Sequence, residues 1–125
     1  MTTTPQYVGV PKSPTVLLAT ANVNRDGTTG TYATLMTAGT SGSRIDKIRI
    51  NARVTTTAGM VRFFVSNSLI LEVPVQAVTV AATTPAWAVD VIFDNGLILA
   101  AGAVLTCSTE KAESLAVTIL NGGDF

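Results

Sequence analysis

Hydrophobic and polar residues alternate in short stretches along most of this chain. A period of two is the pattern of a β-strand with one buried face, and β-branched residues favour strands. The strands predicted in this way cover residues 15–23, 31–38, 44–54, 60–66, 69–76, 86–94, 104–108 and 114–120. Glycine and asparagine clusters between them predict turns, for example at Asp26-Gly27 and Asp94-Asn95-Gly96. Only residues 109–115 could form a helical turn or two, so the sequence predicts an all-β protein.

The alternation also assigns faces to the predicted strands. In the third stretch the apolar residues share one side and the polar residues share the other: Ile48, Ile50, Ala52 and Val54 against Lys47, Arg49, Asn51 and Arg53. The same argument places Trp87 and Phe93 in the core. Pro74 cannot donate to a strand ladder and therefore predicts a sheet edge or a bulge. Phe63 and Phe64 are consecutive, so an inward Phe63 predicts an exposed Phe64.

The predicted architecture is an extended N-terminal arm followed by one β-sandwich domain. Residues 1–14 contain three prolines and little apolar area, which favours an arm, and residues 15–125 form the domain. Eight strands in this length predict an eight-stranded antiparallel sandwich of the jelly-roll type. An immunoglobulin-like sandwich is the alternative topology, although the paired cysteines and central tryptophan of that fold are absent.

Composition removes most enzyme classes from consideration. The chain has no histidine and one cysteine, so it lacks the commonest general base, an intrachain disulfide and a cysteine-cluster metal site. Eight basic residues balance eight acidic ones, and we expect neither a nucleic-acid nor a membrane partner. Only 13% of the residues are charged while 47% are hydrophobic, a balance typical of surfaces that contact other protein.

The residues that could carry chemistry have simpler explanations. Cys107 follows Leu105 on one face and has no base nearby in sequence, so a buried small hydrophobe is expected. The acid pairs are Asp90 with Asp94 and Glu110 with Glu113, and the chain has too few aromatic residues to grip a sugar beside them. The Asp26-Gly27 loop lacks the ligand spacing of a calcium loop, and the final Asn121-Gly122-Gly123-Asp124 is expected to be a flexible terminus. We therefore predict no catalytic residue, no cofactor and no metal.

Charge is unevenly distributed along the chain. Five of the eight basic residues lie within 19 positions: Arg44, Lys47, Arg49, Arg53 and Arg62. Beyond them, six acidic residues face only Lys111. Two interpretations remain open: a solvated strand face, or a surface complementary to a neighbouring subunit that fixes register.

Four segments resemble small virion proteins of tailed bacteriophages. They are SGSRIDKIRI at 41–50, TTTAGMVRFF at 55–64, EVPV at 72–75 and LILAAG at 97–102, and the resemblance covers roughly residues 15–125. It implies a β-sandwich or jelly-roll fold, trimers, and attachment where capsid subunits meet, as in capsid decoration (cement) proteins.

The functional expectation is a head decoration protein on the outer surface of a phage capsid, made in the cytoplasm of the host bacterium. Its expected partners are its own copies, as a homotrimer, and the major capsid protein. A tail, neck or baseplate module and a carbohydrate-binding module are the alternatives. The candidate contact residues are Tyr7, Arg49, Arg53, Arg62 and Phe64. Deleting the arm is expected to leave a folded trimer that no longer binds capsids.

Overall fold

A computed structural model describes residues 8–125 of the chain as nine β-strands without a helix. The strands are β1 Val10–Pro11, β2 Thr15–Leu18, β3 Ala33–Thr37, β4 Ser43–Ala52, β5 Gly59–Val65, β6 Ser68–Val75, β7 Ala88–Leu99, β8 Val104–Thr109 and β9 Leu115–Asp124. Each of the eight predicted strands overlaps one of β2 to β9, and β1 lies in the predicted arm. The all-β prediction is confirmed.

The strands form two antiparallel sheets. In sheet A the order is β2, β9, β4, β7, with β1 pairing the far end of β9. In sheet B the order is β3, β8, β5, β6. The pairing is nested along the chain, because β2 pairs β9, β3 pairs β8, β4 pairs β7 and β5 pairs β6. The result is a sandwich-like arrangement in which the chain folds back on itself about the β5–β6 hairpin.

One hydrophobic core draws side chains from both sheets. Ile48 and Ile50 of β4 are fully buried, as the alternation predicts, and so are Phe63 of β5 and Leu105 of β8. Trp87 joins this core, which confirms its predicted position. Phe93 packs against the core but remains half-buried. The inner faces of the two sheets therefore share the apolar area that stabilises the fold.

Sheet geometry confirms one local prediction and corrects two others. Pro74 lies on β6, an edge strand of sheet B, as its missing N–H requires. Asn95 and Gly96 do not end a strand: they lie in a bulge within β7, both at positive φ, while Lys47 pairs with Ile92 and Ile45 with Leu97. Residues 121–124 are not a flexible terminus, because they belong to β9 and pair with β4.

The described part of the arm, residues 8–14, is extended and lies along β9. Val10 and Pro11 pair with Asp124 and Gly123. The Lys12 ammonium lies 2.6 Å from the Asp124 carboxylate. This ion pair, with a hydrogen bond from Ser43, lowers the pKa of Asp124. The arm is thus held to sheet A by backbone and side-chain bonds from residue 9 onward.

Candidate interaction surface

The outer face of sheet A presents a regular array of exposed and half-buried side chains. Register places its members in rungs across four strands: Leu17, Ala116, Asn51 and Ala88 in one, and Thr15, Thr118, Arg49 and Asp90 in the next. Lys47 and Ile92 follow on β4 and β7. All of these side chains are exposed or half-buried. We call these ten residues the open face.

Three charges at the centre of the open face form one cluster. The Arg49 guanidinium donates two hydrogen bonds to the Asp90 carboxylate, from Nε at 2.7 Å and from Nη2 at 3.0 Å. The Lys47 ammonium lies 3.3 Å from the same carboxylate. The bond from Arg49, followed by that from Lys47, lowers the pKa of Asp90 to about 2. Asp90 therefore stays ionised at neutral pH and orients both cations along the sheet.

The rest of the open face is neutral. Ala116 and Thr118 lie on β9 and Asn51 lies on β4. The Thr15 and Thr118 hydroxyls are 3.0 Å apart across β2 and β9. Leu17 and Ile92 lie toward the two sides of the face, and Ile92 is 68% exposed. A flat face of small, neutral side chains with a net charge of one suits contact with other protein better than with a polyanion.

The chain itself covers the outer face of sheet B over its central strands, β5 and β8, where Arg62, Phe64 and Ser108 are buried. Residues 19–32, here the covering segment, leave β2 and cross this face, although the sequence predicts a strand as far as residue 23. The Asn22 amide donates to the Thr109 carbonyl, and farther along Arg25 lies 3.1 Å from Glu72 of β6. The two sheets therefore differ: the centre of one outer face is covered by its own chain and that of the other is open.

The tip of the covering segment, at Gly27, packs closely against Asn67 in the turn between β5 and β6. A Cβ placed on Gly27, which has φ of 79°, would lie 2.1 Å from the carbonyl oxygen of Asn67. The Asp26 carboxylate accepts hydrogen bonds from the Thr28 and Thr29 amides and from the Thr29 hydroxyl. These bonds, above all those from Thr29, lower the pKa of Asp26 to about 2. The loop is an ordinary capped turn, as expected from its sequence.

The five predicted contact residues end up in different places. Arg49 lies at the centre of the open face, and Arg53 is exposed just beyond the end of β4. Arg62 and Phe64 are buried under the covering segment, so the prediction of an exposed Phe64 is wrong. Tyr7 lies outside the described residues. Period-two alternation cannot reveal such burial, since it takes no account of what covers the second face.

The buried Arg62 has incomplete hydrogen bonding. Its Nε lies 3.3 Å from a Glu72 oxygen, but its Nη1 has no partner. The Ser108 and Thr106 hydroxyls, on the neighbouring strand β8, are also buried without partners. These groups form a polar patch between sheet B and the covering segment.

The uneven charge along the sequence is balanced within the subunit. Four of the five clustered basic residues make ion pairs inside the chain: Arg44 with Asp46, Lys47 and Arg49 with Asp90, and Arg62 with Glu72. Arg53 makes none among the described residues. The pair of Arg44 with Asp46 lies within β4, and the other three paired basic residues contact acids on a neighbouring strand.

Two other residues that could carry chemistry, Cys107 and Glu113, are buried or hydrogen-bonded within the fold. Cys107 is fully buried, and desolvation raises its pKa to about 12. Glu113 accepts hydrogen bonds from the backbone amide and hydroxyl of Thr57. Within residues 8–125 no three His, Cys, Asp or Glu side chains come together as a metal site. The same residues contain no helix with the length and apolarity to cross a membrane.

One residue of the open face that was not among the predicted contact residues, Ile92, is recognisable from the sequence pattern. Ile92 stands two positions after Asp90 and shares its face, opposite to Trp87 and Val91. An apolar residue on the polar face of an alternating strand indicates an exposed contact position.

Comparison with protein-family models, with curated proteins and with solved structures finds no match to this chain.

Proposed function

We propose that this protein is a structural component of a tailed-phage virion that binds the capsid as a head decoration, or cement, protein. In this proposal homotrimers attach through the open face to the major capsid protein on the outer surface of the head and stabilise the shell. The observation that carries the proposal is the uncovered, nearly neutral outer face of sheet A, in contrast to sheet B, whose central strands are covered by its own chain.

The nested strand pairing supports a jelly-roll topology, which the proposed family implies. Rolling one long antiparallel hairpin into two sheets pairs the first strand with the eighth, the second with the seventh, the third with the sixth and the fourth with the fifth. Counted from β2, the observed pairs follow that order. They alternate between sheets A and B, as two Greek keys require.

The surface chemistry of the open face also favours a lattice partner. Each copy presents small side chains and one charge cluster already satisfied within the subunit, so a single contact is expected to be weak. A trimer that engages three equivalent capsid sites gains effective concentration for its second and third contacts. Avidity then keeps the trimer bound to the capsid. This role needs neither a cofactor nor a catalytic group.

A tail, neck or baseplate location uses the same surface and is distinguished by position in the virion. A carbohydrate-binding role is disfavoured, because Trp87 is buried and the open face has no aromatic side chain among the described residues.

The test combines the purified protein with undecorated capsids of a tailed phage. Co-sedimentation is expected with wild-type protein and is expected to be lost in Leu17→Glu, which places a charge on the open face. Val80→Glu is the matched control, since Val80 is also exposed but lies outside sheet A. Labelling of tails alone in electron micrographs, or equal binding by both variants, would contradict the proposal.

A further inference from the structure

The four sheet edges of the molecule are not equally protected against pairing with another chain. The edge formed by β1 and β2 is interrupted by Pro11, Lys12 and Pro14, and the β6 edge by Pro74. The β3 edge is five residues long and has a register shift. Proline, lysine, shortness and irregularity are the devices that block edge-to-edge association. β7 spans 12 residues and has neither proline nor lysine.

The backbone of β7 presents free hydrogen-bonding groups on its outer side. The Ala52 amide donates to the Trp87 carbonyl at 2.7 Å, so Trp87 directs its backbone groups toward β4. Because these directions alternate along an antiparallel strand, Ala88, Asp90 and Ile92 direct their amides and carbonyls toward the open edge. The bulge starting after Ile92 limits the regular part of this edge to the first half of β7.

Apolar side chains along this edge are incompletely covered. Val89, Val91 and Phe93 point inward and pack against the core, yet each remains half-buried. Ile48 and Ile50, on the neighbouring strand, are fully buried. A further strand beside β7 would complete the burial of this inner row and would also cover part of the exposed Ile92.

We propose that the open edge of β7 pairs antiparallel with β7 of a second copy of this chain, about a twofold axis at Val91. Strand addition of this kind joins the two copies of sheet A into one continuous sheet. The inference goes beyond the proposed function, because the contact requires no capsid and joins copies in pairs; in a virion it would connect neighbouring trimers.

The charges on β7 and the length of the paired segment favour a twofold centre at Val91 over the neighbouring registers. A centre at Asp90 opposes that residue to itself, and a centre at Ile92 opposes Asp90 to Asp94, so both put acids face to face. A centre at Val89 keeps only residues 88–90 of β7 in the pair. A centre at Val91 opposes Asp90 to Ile92 and Ala88 to Asp94, which avoids opposed acids.

Light scattering on the eluting full-length protein tests the contact. The wild type is expected to contain an even number of copies: two, or six where threefold contacts also form. Ile92→Glu is expected to halve that number, because it opposes an acid to Asp90 of the second copy. Leu17→Glu is the matched control, because Leu17 is an exposed aliphatic residue on the opposite side of the same face. It is expected to leave the mass unchanged.

Disulfide formation tests the register. In a Cys107→Ala background, Val91→Cys is expected to give a covalent dimer under mild oxidation, because directly opposed residues of a non-hydrogen-bonded pair approach within disulfide reach. Asp90→Cys faces Ile92 instead and is expected to crosslink far less. Circular dichroism confirms that each variant is folded.

The outcomes separate the two proposals. A monomer, or an isolated trimer unaffected by Ile92→Glu, overturns the β7 contact, while capsid binding by that trimer would still support the decoration role. Crosslinking that is equal at both positions overturns the register. An even number of copies that halves in Ile92→Glu supports the contact even where capsid binding fails.

Discussion

The ring of Tyr32 meets the ring of Phe64 edge-on, with the centroids 5.1 Å apart and the planes at 86°. Tyr32 ends the covering segment, and its ring contributes to the full burial of Phe64 on the outer side of β5. Edge-to-face geometry adds to the stabilisation that burial of the two rings provides. Phe64 is therefore a second core position, on the opposite face of sheet B from Phe63.

Truncation of Phe64 is expected to destabilise the fold strongly. Phe64→Ala removes a fully buried ring and leaves a cavity under the covering segment, which costs about 3–5 kcal/mol in free energy of unfolding. Urea denaturation followed by circular dichroism measures the difference. Val80→Ala is the exposed control, because Val80 lies outside both sheets, and it is expected to change the free energy by no more than about 0.5 kcal/mol. A similar small change in Phe64→Ala would contradict the burial described here.

Replacing the buried Arg62 by an apolar residue is expected to be tolerated, whereas removing its acidic partner is not. Arg62→Met keeps the aliphatic volume, removes an unpartnered Nη1, and leaves Glu72 paired with Arg25, so the free energy of unfolding should fall by less than about 1 kcal/mol or rise. Glu72→Gln leaves the Arg62 cation, which is 3% exposed, without a countercharge. We expect the free energy of unfolding to fall by about 1–3 kcal/mol, a range that already allows for the partial exposure of Glu72.

Thermal unfolding of both variants at neutral pH compares the two effects. Arg25→Gln is the control, because it removes the exposed cation from the same carboxylate and should change stability little. Greater destabilisation by Arg62→Met than by Glu72→Gln would show that the buried ion pair itself stabilises the fold.

Acid is expected to weaken the fold between about pH 4 and pH 2. The pKa of Asp26 and that of Asp90 are both lowered from 3.8 to about 2 in the folded chain, so the unfolded state binds more protons in this range. Their stabilisation is fully present above about pH 4 and is lost as the pH falls through the folded pKa. Asp26→Asn should make the unfolding midpoint less sensitive to acid. Asp94→Asn is the control, since Asp94 is exposed and makes no ion pair within residues 8–125. An equal effect of both substitutions would be inconsistent with the Asp26 turn.

Cys107 is expected to be unreactive in the folded protein. Its thiol is fully buried, and its pKa of about 12 leaves almost no thiolate at pH 8. A thiol-reactive chromogenic disulfide should modify it only as the chain unfolds, at a rate that follows urea concentration. Rapid stoichiometric labelling without denaturant would mean that β8 is more accessible than the sheet arrangement indicates.

Local sequence determined where the strands lie and, on the central strands, which side chains face the core. In β4 the alternation of isoleucine with lysine and arginine predicted both faces correctly, because side-chain direction in a strand depends only on the period of two. The prediction that Val54 shares the buried side was wrong, because β4 ends at Ala52 and Val54 is 42% exposed. Pro74 predicted its edge for an equally local reason, the missing N–H. The bulge in β7 could not be predicted in this way, because Asp94-Asn95-Gly96 has the composition of a turn. Only its pairing with β4 keeps this segment within the strand.

Tertiary structure alone decided which outer face stays open. Arg49 and Arg62 have similar positions in alternating strands, yet Arg49 meets Asp90, 41 positions away, on an open face. Arg62 is buried by a segment that precedes it by 30 or more positions. Burial depends on what lies above a side chain, and that is set by contacts between segments distant in sequence. The period of a strand specifies two faces; the path of the rest of the chain selects the one that meets solvent.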